Sequence, residues 1–130
     1  MSFDEALSYL LSLGHETLAM KLGLESVARL LARLDNPQES FDRVQIAGTN
    51  GKGSTAAMLD SVCREAGVSV GLYTSPHLVS ITERVKVNGR EITRDEFARA
   101  ASAVREASES LADETGARPT FFEQVTAVAL

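Results

Sequence analysis

Cysteine is nearly missing from this sequence, and the absence removes whole classes of architecture. Cys63 is the only one, so no intrachain disulfide can form, and neither a thiolate metal cluster nor a disulfide-stapled secreted scaffold is supported. It falls among the apolar positions of a helical stretch, where a thiol serves as a small packed side chain. Basic charge is also scarce. Thirteen Lys and Arg against 18 Asp and Glu leave a net charge of −5, and the cations are scattered through the chain, which argues against a nucleic-acid partner held by phosphate neutralisation. No apolar run reaches membrane-spanning length. Asp4 and Glu5 stand where a secretory leader would need basic residues. Cytoplasm is therefore the expected location, with no membrane and no obligatory protein partner.

What is present suits a compact unit. The 130 residues are 44% hydrophobic, enough for one core of ordinary size, and no repeat or low-complexity tract breaks the alternation of apolar and polar segments. Ser2 and Glu5 make a capping box ahead of a helix that carries Phe3, Leu7, Leu10 and Leu11 near one face and ends at Gly14. Leu24, Val27, Leu31 and Leu34 mark a second helix, which Asn36-Pro37 stops. These two form a helical preface.

The pattern then changes. Val44-Gln45-Ile46-Ala47 reads as a strand, followed by the glycine-rich turn Gly48-Thr49-Asn50-Gly51-Lys52-Gly53-Ser54 and a helix with Met58, Leu59, Val62 and Ala66 on its apolar face. A second strand is expected from Val68 to Tyr73. Strand, turn, helix and strand spell a βαβ unit with parallel strands and a right-handed crossover. Val85-Lys86-Val87 and Ile92 flank Asn88-Gly89, residues suited to a tight β-turn, so a small β-ribbon is expected beside the main sheet. Thr93 to Glu96 caps a long amphipathic helix bearing Phe97, Ala101, Val104 and Leu111, and Thr120 to Glu123 caps a last one. Val125, Val128, Ala129 and Leu130 leave that final helix apolar, so it is expected to need a cover and a continuation of the chain. The fold class expected is α/β, a P-loop nucleotide-binding domain with a parallel central sheet, an amino-terminal helical segment and a small β-ribbon, incomplete at its carboxy-terminal side.

Chemistry concentrates at the turn. Glycines between a strand and a helix let backbone N–H groups point inward without Cβ clashes, and the helix start offers unpaired donors to an anion. Lys52 supplies a point charge for β- and γ-phosphates, and Ser54 a hydroxyl for Mg²⁺. Taken singly, each residue has an ordinary explanation: a structural turn, a solvated amine, a helix cap. Together they predict that Thr49, Asn50, Gly51, Lys52, Gly53 and Ser54 bind the phosphates of a nucleotide. The usual Walker spacing is not kept, because the serine comes two residues after the lysine.

Gly48-Thr49-Asn50-Gly51-Lys52-Gly53-Ser54 resembles the phosphate loop of folylpolyglutamate synthases and dihydrofolate synthases, within the Mur ligase family. Tyr73-Thr74-Ser75-Pro76-His77-Leu78, Glu83-Arg84-Val85, Asn88-Gly89 and Thr120-Phe121-Phe122-Glu123 continue the likeness in order. Glu25-Ser26-Val27 and Asp35-Asn36-Pro37 depart from the family's commoner patterns. The resemblance implies that residues 1–130 are the amino-terminal part of a Mur-ligase-like ATP-binding domain, with the rest of the central domain and a carboxy-terminal domain lying beyond. It implies a ligase that joins L-glutamate to dihydropteroate or folate through an acyl phosphate, using ATP and Mg²⁺, with Lys52 stabilising charge during the transfers and the isolated chain inactive.

It further implies Ser54, Ser75 and Glu123 as metal ligands and Ser75, Pro76, His77 and Arg84 at the folate site. From the residues alone, the local sequence favours Ser75 as a turn hydroxyl, His77 as a structural hydrogen-bonding group and Glu123 as a helix cap, while Arg84 reads equally as a surface ion-pair partner. The competing readings of the whole chain are a cell-wall Mur-type amide ligase and a nucleotide-binding module without ligase activity.

Overall fold

In a computed structural model of the protein, residues 1–14 and 23–130 are described. The chain divides into two compact units, Met1–Asp42 with Asp95–Leu130, and Arg43–Arg94.

The first unit is helical. Helix α1 (Phe3–Ser12) opens with the expected box: Ser2 accepts from the Glu5 amide while the Glu5 carboxylate accepts from the Ser2 amide. Two otherwise orphaned donors are thereby satisfied. Helix α2 (Glu25–Ala32) ends well before Pro37, where a 3₁₀ turn (Pro37–Glu39) begins. Helix α4 (Arg94–Thr115) and helix α5 (Phe121–Ala129) complete the unit. Ala6 and Leu10 of α1, Leu30 and Leu31 of α2, Phe97, Ala101, Val104 and Leu111 of α4, and Phe121, Val125 and Val128 of α5 are buried. Each large apolar side chain so buried contributes about 1.5–3 kcal/mol. Phe3 meets Phe97 edge to face at 5.7 Å between ring centres, and Arg105 lies over the Tyr9 ring at 4.8 Å.

One polar cluster sits inside this apolar core. Gln124, fully buried, donates to Ser108 Oγ at 2.9 Å and to the Pro119 carbonyl at 3.0 Å, and accepts from Tyr9 Oη at 2.9 Å. Its amide thus links α1, α4 and α5 with its polar atoms satisfied. The expected bare apolar face of the last helix is not what the structure holds: Val125 and Val128 pack inside the unit, and Phe122 and Leu130 are the exposed apolar residues of that segment.

The second unit corrects the expected sheet. No parallel pair is present among the described residues. The sheet is three short antiparallel strands in the order β1 (Gly71–Tyr73), β2 (Val85–Val87), β3 (Arg90–Glu91), with Gly71 opposite Val87, Tyr73 opposite Val85 and Lys86 opposite Glu91. Residues 44–47 form no strand, and Val44 is 75% exposed. A strand exists only where a neighbour takes its N–H and C=O groups. Residues 71–73 find theirs in the returning chain at 85–87, so β1 belongs to the ribbon anticipated from Asn88-Gly89, and residues 44–47 are left without a ladder. The parallel βαβ reading of a P-loop domain is overturned on that ground.

The ribbon's turn is tied down on two sides. Asn88 has φ 50° and Gly89 φ 78°, as a tight hairpin turn requires. The Asn88 side chain accepts from the Val70 amide and the Asn88 amide donates to the Val70 carbonyl, both at 2.8 Å. Arg64 of helix α3 (Lys52–Glu65) lies so close to Gly89 that a β-carbon there would sit 2.9 Å from its guanidinium carbon. Arg64 is held by Asp60, Nε to Oδ2 at 2.9 Å. The side of α3 that packs is therefore the one bearing Asp60, while Met58 and Val62 of the expected apolar face are 62% and 65% exposed.

Candidate functional site

Residues 48–54 lead into α3 as the glycine pattern requires. Gly51 is the residue before the helix and has φ 77°, a left-handed conformation open to glycine and costly to others. Lys52, Gly53 and Ser54 are the helix's first three residues, and the first bond back, from the Thr55 amide to the Gly51 carbonyl, is 2.9 Å. The amides ahead of it have no partner within the helix, and they carry the positive end of its dipole. Lys52 Nζ lies 2.6 Å from the Gly48 carbonyl, so the only ammonium of the loop arches back over it. Gly48, Thr49, Asn50, Gly51, Lys52, Gly53 and Ser54 are all exposed. The arrangement presents amide donors, one positive charge and the Ser54 hydroxyl to solvent, with no acidic side chain in the first turn of α3 to repel an anion.

The second expected segment, residues 74–84, follows β1 in the same unit. Its ends are joined by the Thr74 amide donating to the Arg84 carbonyl at 2.9 Å. Ser75 and Pro76 are exposed and joined by a cis peptide bond; His77 is half-buried. Glu83 organises the rest. Its carboxylate accepts from the amides of Leu78 at 2.9 Å, Val79 at 2.9 Å and Ser80 at 2.7 Å. The Leu78 and Ser80 amides are the main reason its pKa lies below the ordinary value, with Val79 adding to the effect and desolvation opposing it. Ser80 caps the 3₁₀ turn Ile81–Arg84 in return, and Thr82 donates to the Glu91 carboxylate. This clamp holds Leu78 and Val79 outward, 93% and 91% exposed.

Sequence reasoning took Glu83 only as part of a resembled motif. The signal for its work was available: Ser80-Ile81-Thr82-Glu83 has the same capping-box spacing as the helix starts at Ser2 and Thr120. Arg84, expected as a surface ion-pair partner or ligand contact, is 3% exposed, and its Nε donates to His77 Nδ1 at 2.8 Å.

Glu123 belongs to the other unit. Its Oε2 accepts from the Thr120 amide at 2.7 Å and from Ser26 Oγ at 3.3 Å, and Thr120 Oγ1 accepts from the Glu123 amide. The helix-cap reading of Glu123 is realised. Among the described residues no three of His, Cys, Asp and Glu gather into a metal-holding group. Exposed hydroxyls such as Ser54 and Ser75 do suit Mg²⁺, which keeps most of its water and takes few protein oxygens beside a bound phosphate.

No protein-family model matches the chain. Individual relatives do. Over 132 aligned residues, 100% of this chain and 15% of the other, it is 47% identical to the probable bifunctional folylpolyglutamate synthase/dihydropteroate synthase of Haloferax volcanii. The solved folylpolyglutamate synthetase from Lactobacillus casei superposes with a TM-score of 0.90 at 32% identity, covering 99% of this chain and 32% of that one. The FPGS–AMPPCP–folate complex superposes with a TM-score of 0.90 at 34% identity, covering 99% and 31%. The chain thus spans less than a third of the length of these relatives. By sequence and by the course of its backbone, it is a homologue of the folylpolyglutamate synthases and dihydrofolate synthases.

Proposed function

We propose that the protein carrying this chain is a cytoplasmic ATP-dependent ligase that forms an amide between L-glutamate and the carboxylate of dihydropteroate or of a folate. The observation that carries the reading is the loop 48–54: amides at the start of α3, Gly51 at φ 77° and Lys52 folded across the loop. It is supported by homology to proteins named for this activity and by a superposable relative solved with AMPPCP and folate.

The chemistry demands such a loop. A carboxylate is a poor electrophile, so the terminal phosphoryl group of ATP passes first to a carboxylate oxygen, giving an acyl phosphate and ADP. The glutamate amine then attacks the carbonyl carbon, the C–O bond to phosphate breaks, and the nitrogen loses a proton as inorganic phosphate leaves. Both steps move negative charge onto phosphate oxygens, which fixed amide donors and an ammonium stabilise without reorganising. Thr49, Asn50, Gly51, Lys52, Gly53 and Ser54 hold the polyphosphate in this reading, and Lys52 is the group that touches the transferred phosphoryl. Mg²⁺, when bound, screens the phosphate charge and polarises the P–O bond. Ser54 and Ser75 are proposed as its hydroxyl ligands, and Ser75, Pro76, His77 and Arg84 shape the folate site. For Glu123 the metal role competes with the cap already formed at Oε2. Loss of Mg²⁺ affinity with unchanged stability in Glu123→Gln supports the metal role, and loss of stability alone opposes it.

The test is turnover of the whole protein with ATP, glutamate and separate panels of dihydropteroate, folate and amino-sugar nucleotide cell-wall precursors. The reading expects ADP, phosphate and a new glutamyl amide with the pteroate or folate panel alone. Turnover with cell-wall precursors only, or none with any panel, overturns it.

A further inference from the structure

His77 and Arg84 meet in a way that settles which chemistry the imidazole offers. Arg84 is buried and its Nε lies 2.8 Å from His77 Nδ1. A guanidinium carries N–H hydrogens and no acceptor. The ring atom facing it must therefore present a lone pair, and in a neutral imidazole the single hydrogen then resides on the other nitrogen, Nε2. We propose that Arg84 is a positioning residue that fixes His77 as the Nε2–H tautomer, so that His77 meets substrate as a hydrogen-bond donor to a carbonyl, carboxylate or phosphate oxygen and not as a base.

The surroundings make this arrangement rigid. The Arg84 carbonyl is tied to the Thr74 amide at 2.9 Å, and the Glu83 carboxylate beside it is committed to the amides of Leu78, Val79 and Ser80. The backbone on both sides of His77 is thus held by groups that do not move with the ring. Nδ1 is spent on Arg84, and Nε2 remains as the atom His77 can offer. The function of this donor rests on the ligase reading; the tautomer does not.

Nitrogen-detected imidazole spectra of the wild-type protein, at one mildly alkaline pH where a free imidazole is neutral, test the tautomer directly. The sequence has two histidines, and His15→Gln assigns the signals. A lone-pair Nδ1 and a protonated Nε2 without averaging are expected; a protonated Nδ1, or two nitrogens averaged between tautomers, overturns the proposal. Arg84→Met, checked for folding by its amide spectrum, should let the tautomers average, while Arg84→Lys restores part of the preference; an unchanged tautomer in a folded Arg84→Met also overturns it. In turnover, His77→Gln keeps a donor near the Nε2 position and should lose less than His77→Ala by roughly tenfold, the worth of one hydrogen bond. Equal losses in the two variants contradict the donor role. Wild-type protein without ligase turnover would instead remove the ligase reading and leave the tautomer result standing.

Discussion

Two glycines two positions apart in the loop should respond to the same substitution with opposite signs of stability. Gly51 has φ 77°, and a β-carbon added there would meet nothing within 4 Å. Gly51→Ala is therefore free of clashes and carries only the left-handed backbone penalty, about 1–2 kcal/mol. With an unfolding entropy of about 2.1 cal/mol/K per residue over the 130 residues, that is a fall in Tm of about 4–7 °C. Gly53 is already helical, in the first turn of α3, and its added β-carbon also meets nothing within 4 Å. Gly53→Ala removes glycine's entropic cost in a helix and should raise stability by about 0.5–1 kcal/mol, or about 2–4 °C. Binding should not follow stability. On the proposed reading of the loop, both methyl groups stand where phosphate oxygens are to approach the backbone, so both variants should bind Mg·ATP more weakly, Gly53→Ala by roughly tenfold, equivalent to about 1.4 kcal/mol. Differential scanning calorimetry and ATP titration calorimetry on the same samples read the two effects. An unchanged Tm in Gly51→Ala refutes the backbone argument. A stabilised Gly53→Ala with undiminished ATP affinity refutes the close approach of phosphate to the loop.

Three other outcomes follow from particular contacts. Glu83→Gln should abolish much of the hydrogen-exchange protection of the Leu78, Val79 and Ser80 amides, since one amide oxygen replaces two carboxylate oxygens serving three donors; unchanged protection would show that the clamp does not hold the segment. The wild-type clamp has a matching pH sense: because the Glu83 pKa lies below its ordinary 4.5, its contribution is complete above that value and is lost as pH falls through the lower folded-state pKa, which exchange measured across the acid range should show. Gln124→Leu keeps the volume but strands the Ser108 hydroxyl and the Pro119 carbonyl in a buried site, and chemical denaturation should report a loss of about 2–3 kcal/mol; a loss below about 0.5 kcal/mol would mean that those groups find other partners.

What could be read from the residues was whatever depends on near neighbours in the chain. The boxes at Ser2 and Thr120 need only a hydroxyl and a glutamate three residues on, and both formed. Asn88-Gly89 announced a turn because few residues accept positive φ, and the buried stripe of α4 followed from helical spacing alone. The glycine turn before α3 is of this kind too. What failed depends on which of several available partners a segment takes when the chain folds. An apolar run such as Val68 to Tyr73 shows that a strand is favourable but not which strand will take its hydrogen bonds, and the local return at Val85 took them. Periodicity likewise gave α3 an apolar face at Met58 and Val62, yet the packed side is the one where Asp60 secures Arg64 against Gly89. Glu83 was missed although its capping-box spacing from Ser80 was legible, whereas the Arg84–His77 bond went unread because each residue looks like an ordinary surface group until the loop closes around it.

The central claim is that amides at the start of α3, with Lys52, receive the polyphosphate of ATP. Backbone amide shift mapping with Mg·ATP tests it most directly. Saturable shifts greatest at residues 48–55, with markedly weakened binding in Lys52→Ala, are expected; saturable binding with its shifts centred elsewhere in the chain, or no binding by the folded protein, would contradict it.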